Sequence, residues 1–185
     1  MSDETNNPYY EQAPGAAQPA EIDPFKFQRL IAEVKASQNL PLGFIGGLVA
    51  ALLGATIWAI VTVVTDYQIG WMAVGIGFLV GLAIRQFGKG IDRIFGIVGA
   101  GLALFGCLAG NLLTIAILIS QEETVSLVEV LFFLMTTPAV AIELMSLTFS
   151  PIDLLFYGIA IYEGYKFSFR QLSKAELVGI MKGTI

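Results

Sequence analysis

The chain has 185 residues, 56% of them hydrophobic and 14% charged. A soluble domain carries about a quarter charged residues, and uncharged runs longer than about 18 residues are read most directly as bilayer spans, so an ordinary soluble domain is excluded. The net charge of −5 argues against a nucleic-acid partner. With no histidine and Cys107 as its one cysteine, the chain lacks the residues for His or multi-Cys zinc sites, bis-His haem ligation and Ser-His-Asp or Cys-His catalysis.

In chain order, residues 1–22 are rich in Pro, Gln, Asn and Ala and hold four acids and no base. They are expected to be a disordered acidic tail, because they carry too little apolar surface to bury. No basic stretch precedes a short apolar core, so the tail does not read as a signal peptide. Residues 23–38 come next. Asp23 and Pro24 suit a helix start, and Phe27, Leu30, Ile31 and Val34 fall on one helical face flanked by Lys26, Arg29 and Lys35. This predicts an amphipathic helix lying in the membrane interface; the alternative is a helix packed on another subunit.

Three spans follow, at about 42–65, 69–84 and 94–119, the second entered through Tyr67 and Trp71 as interface anchors. The last third is less clear-cut. Residues 124–149 contain Glu129, Glu143 and a central Pro138, whereas 152–169 contain Asp153 and Glu163. The expected arrangement has 152–169 as the fourth span and 124–149 as a broken, re-entrant or interfacial segment kinked at Pro138. The alternative exchanges the two, with 125–148 crossing and 152–169 at the surface. The predicted fold is thus an all-α integral membrane protein, a four-helix transmembrane bundle over 42–169 with an interfacial helix before it. A short helix is expected within 170–185, where Ser173 and Glu176 make a capping-box pattern.

Charge placement predicts orientation. Lys26, Arg29 and Lys35 precede the first span, Arg85, Lys89 and Arg93 join the second to the third, and Lys166, Arg170, Lys174 and Lys182 follow the last. These are all ten basic residues, whereas Asp66, Glu122 and Glu123 occupy the opposite loops. The positive-inside rule therefore expects both termini in the cytoplasm and the protein in the cell (inner) membrane.

Four groups of residues could carry function. Small residues recur at helical spacing: Gly43, Gly47, Ala51, Ala55 and Ala59 in the first span, Ala73, Gly77 and Gly81 in the second, and Gly99, Ala103, Gly106 and Gly110 in the third. Such GxxxG-type faces let helices approach closely in lipid, either within one bundle or between copies. Asn111, Glu143, Asp153 and Glu163 are polar or acidic positions in or near the spans and the candidates for a proton or cation path. Against that, Asp153 suits a helix first turn and Glu163 can pair with Lys166. Arg85, Lys89 and Arg93 stand at i, i+4 and i+8 and are expected at anionic lipid headgroups if that segment is helical. Gly88-Lys89 is not a phosphate loop, since Ala83 stands where the first glycine should be and Gly90 follows the lysine.

No catalytic constellation emerges, and no cofactor, metal or nucleotide is expected. The expected function is that of a non-enzymatic scaffold or accessory subunit, forming a homo-oligomer or joining a membrane-protein partner through the small-residue faces. The alternative is a small proton- or cation-conducting channel or transporter using the acids of the last third.

Overall fold

The computed structural model describes residues 24–171. The acidic tail and the helix expected beyond Gln171 lie outside them, as do the side chains of Phe27 and Leu30. Two compact units are present: residues 33–171 form one, and residues 24–32 belong to the other. Every regular element among the described residues is an α-helix: α1 Pro24–Ala36, α2 Leu40–Thr65, α3 Trp71–Gly88, α4 Arg93–Glu122, α5 Leu127–Thr136, α6 Pro138–Thr148 and α7 Pro151–Phe167.

The helix ends follow local chemistry. Asn39 caps α2 by accepting the Leu42 N–H at 2.9 Å, satisfying one of the donors a helix start leaves open. Asp66 closes the same helix in the left-handed conformation at φ 52°. Pro138 opens α6 and drives Thr137 out of helical geometry, to φ −124° and ψ 70°, because a residue before proline is crowded out of the α region. The result is a 106° bend between α5 and α6. At the start of α7 the Asp153 carboxylate accepts the Ser150 N–H at 2.8 Å.

Three helices, α2, α3 and α4, are long and apolar enough to cross a membrane, and a fourth crossing is reached if the bent α5–α6 pair counts as one. Helix α3 runs to Gly88, which brings Arg85 into its last turn. Helix α7 has 17 residues, about 25 Å at 1.5 Å per residue, against roughly 30 Å of bilayer hydrocarbon.

Within residues 33–171, α2 packs on α3 and α4, and α7 packs on the same two helices from another side. Trp58, Ile76, Val80, Ile84, Phe95 and Ala160 fill the space between them. Among the described helices, the α5–α6 pair packs on α4 alone, through a separate cluster of Ala116, Val130, Leu134 and Ala141.

Candidate anion-binding cleft

One end of the bundle is built around the turn between α3 and α4. Helix α3 stops at Gly88 because Lys89 turns into the left-handed region at φ 50° while its N–H still bonds the Arg85 carbonyl. Below the turn sits Phe95, 2% exposed. Its ring fills the room that side chains at Gly88 and Gly90 would need, and a Cβ on Gly43 would lie 3.0 Å from the Gly88 Cα. Glycine is required here by close approach: α2, the turn and the aromatic ring leave no space for a methyl group.

The turn is tied to two distant parts of the chain. From the α1–α2 link, Asn39 donates its N–H to the Gly88 carbonyl at 2.9 Å. Gln38 straddles the turn, its amide nitrogen donating to Asp92 at 3.1 Å and its oxygen accepting the N–H groups of Ile91 and Asp92 at 3.4 Å. Lys35 adds an ion pair to Asp92 at 3.2 Å. From beyond α7, the Arg170 N–H donates to the Gly90 carbonyl at 2.8 Å.

These ties enclose a cleft of about 510 Å³ lined by Ser37, Arg85, Gln86, Lys89, Arg170 and Gln171. Among the described residues, three cations, two amides and a hydroxyl face it, and no acid does. The Asp92 carboxylate close by is taken up by Lys35 and Gln38. The Arg170 guanidinium reaches Ser37 Oγ at 3.5 Å, and that hydroxyl donates to the Val34 carbonyl at 2.8 Å. Gathering like charges in one place is unfavourable unless an anion offsets it. Guanidinium groups present planar forks of donors suited to carboxylate or phosphate oxygens, so phosphate-type oxyanions are the ligands this lining suits.

The basic trio expected from spacing is divided by the turn. Arg85 and Lys89 line the cleft, whereas Arg93 begins α4, is exposed and lies outside the lining. The i, i+4, i+8 relation fails because residues 89–92 are not helical. Arg170, Ser37, Gln86 and Gln171 were not anticipated from spacing. For Arg170 the one sequence signal is its place in the all-basic set of loops, which identifies an end of the bundle and not a neighbour.

The small residues occupy the bundle interior. Gly43, Gly47, Ala51, Ala55 and Ala59 of α2, Ala73, Gly77 and Gly81 of α3, and Gly99, Ala103, Gly106 and Gly110 of α4 are all buried. A Cβ on Gly77 would strike the Ala160 backbone, one on Gly99 the Gly164 carbonyl, and one on Gly106 would lie 2.7 Å from Ile76. These faces are filled by the chain's own helices, so they are not surfaces left over for a second copy. Cys107 is buried beside them.

The polar candidates form no single cluster, though Asn111 and Asp153 both lie near Tyr157. Asn111 is buried in α4, Glu143 is exposed on α6, and Asp153 is buried but engaged at the start of α7. Glu163 lies ten residues further along α7, about 15 Å by helical rise, with one carboxylate oxygen buried and without a hydrogen-bond partner. Lys166 does not pair with it; the ammonium lies 5.4 Å from the centre of the Tyr162 ring, a cation–π contact. Among the described residues no three acidic or thiol side chains come together as a metal site. No protein-family model, curated protein or solved structure matches the chain.

Proposed function

We propose that this is a non-enzymatic, multi-pass protein of the cell membrane, an accessory or scaffold subunit whose basic end engages anionic phosphate at the cytoplasmic face. The observation that carries the reading is the cleft itself: among the described residues, Arg85, Lys89 and Arg170 converge on its lining from two helix ends. Anionic lipid headgroups attract such clusters by about 1 kcal/mol per basic residue. In this reading the positive-inside bias of the sequence puts the basic end and both termini on the cytoplasmic side. Helix α7 supplies the fourth crossing in this reading, since it packs between α3 and α4 whereas the bent pair lies outside the bundle. Because the small-residue faces are used internally, partners would meet the outer helix surfaces. For the ion-conduction reading, Asn111 and Asp153 lie near Tyr157, whereas Glu163 stands about 15 Å further along α7.

Native mass spectrometry of the gently extracted protein tests both halves. Retained anionic phospholipid, reduced roughly tenfold by Arg85→Gln with Lys89→Gln, is the expected result, together with a partner at fixed stoichiometry. Equal retention of zwitterionic lipid by both forms would remove the cleft from the reading. A solitary monomer under all mild extractions would remove the accessory role.

A further inference from the structure

Another cavity, of about 320 Å³, lies between α4, α6 and the first turns of α7. Leu108, Ile142, Met145 and Phe149 make it apolar, and Asn111, Ser146 and Tyr157 complete the wall. The three polar groups differ in what they have left to offer. The Ser146 hydroxyl is committed to the Glu143 carbonyl at 2.6 Å. Tyr157 is 6% exposed and stands edge-on between Trp58, with ring centres 6.4 Å apart, and Phe149, at 6.2 Å. Its hydroxyl is near enough to Asn111 for the two side chains to interact, yet it completes no hydrogen bond of good geometry. Asn111 itself is 3% exposed.

A buried hydroxyl left without a good hydrogen bond, as that of Tyr157 is, destabilises the fold, and a buried amide beside it adds a second polar group to satisfy. Phenylalanine and leucine would fill nearly the same volumes without that cost. Grouped at the wall of an apolar cavity, they supply what ligand sites commonly have: greasy walls with a few convergent polar groups that fix orientation. Both groups can donate, the tyrosine through its O–H and the asparagine through its amide N–H. Two donors set side by side suit one acceptor oxygen with two lone pairs.

We propose that this cavity binds a small molecule with an apolar body and a carbonyl oxygen, the oxygen received by Asn111 and Tyr157 and the body lying against Leu108, Ile142, Met145 and Phe149. Within a bilayer that chemistry has two sources, a quinone ring and the ester of a lipid acyl chain. Tyr157 is six residues beyond Pro151, about 9 Å along α7, a depth open to either. The site is distinct from the basic cleft, and neither depends on the other.

Trp58 provides a reporter, because the chain has two tryptophans and Trp71→Phe leaves Trp58 beside Tyr157. In nanodiscs, Trp58 emission is followed while a short-chain benzoquinone is titrated, and separately while a phospholipid brominated near its acyl esters is mixed in. Saturable quenching by one of the two is expected, and which one identifies the source. Tyr157→Phe, which preserves the ring packing, should weaken the saturating interaction about fivefold, the effect of one hydrogen bond; Asn111→Leu should do the same or more. Quenching that stays linear with both probes, or saturates equally in Tyr157→Phe, would overturn the proposal.

Discussion

The two segments of the last third, α5–α6 and α7, differ less in composition than in what they do. Both are apolar, both carry two acids, and both begin after a loop that could end a span. Yet α7 is built into the bundle against α3 and α4, whereas α5–α6 bends by 106° and leans on α4. The difference lies in side-chain size. Helix α7 offers Ala160 and Gly164, which meet Gly77 and Gly99 at backbone distance. Residues 124–149 contain no glycine and present Phe132, Phe133 and Met135 outward instead. In lipid, where burying apolar surface gives helices no reason to associate, close backbone approach supplies the attraction. Small residues, more than hydropathy, determine which segment joins the bundle.

That comparison can be broken most forcefully at the α4–α7 seam. Gly99→Val places side-chain atoms against the Gly164 carbonyl and Ser168, and should cost about 3 kcal/mol, the upper part of the usual range for overpacking. Gly101→Ala, where a Cβ meets nothing within 4 Å, should gain up to about 1 kcal/mol from helix propensity. Denaturant titration in detergent micelles reads both; equal effects would mean that the seam is not what holds α7.

A smaller change is expected in the bent pair. Leu134 is 2% exposed in the α4–α5 cluster, and Leu134→Ala should cost about 2 kcal/mol, the low end for such truncations. The loss should be local: hydrogen exchange should rise across 127–148 while α2, α3, α4 and α7 stay protected. A uniform rise would make α5–α6 as integral to the bundle as α7.

The smallest effect concerns what α7 completes at the basic end. Lys89 adopts φ 50°, a conformation that costs a residue with a Cβ about 1–2 kcal/mol. Lys89→Gly removes that cost but adds roughly 0.4–1 kcal/mol of unfolded-state entropy, for a net gain of about 0.5 kcal/mol. Lys89→Ala forgoes the gain. Both should weaken binding of anionic lipid. Retained binding alongside the raised stability of Lys89→Gly would show that Lys89 serves the turn and not the cleft.

Much of the architecture was legible because it rests on local signals. Uncharged runs mark α2, α3 and α4, Pro138 marks the bend, and Ser150 with Asp153 marks the start of α7. The small-residue stripes were visible too, but periodicity gives a face without saying what covers it. Packing in three dimensions assigns the stripe from Gly43 to Ala59 to the chain's own interior. The cleft was half legible. Arg85 and Lys89 stood out as a basic pair, whereas a left-handed Lys89 that separates Arg93 from them has no signature in spacing. Arg170 is brought to them by contacts that include a backbone hydrogen bond to Gly90, 80 residues away, a long-range fact that no local pattern encodes.

That bond also orders events in time. Ser37, Arg85, Gln86 and Lys89 leave the ribosome long before Arg170, and the cleft has no third cation until the chain has been made through α7 and that helix has seated against α3 and α4. The full basic lining is therefore assembled only after α7 has been made and seated, and a chain terminated before Arg170 would insert its early helices without it.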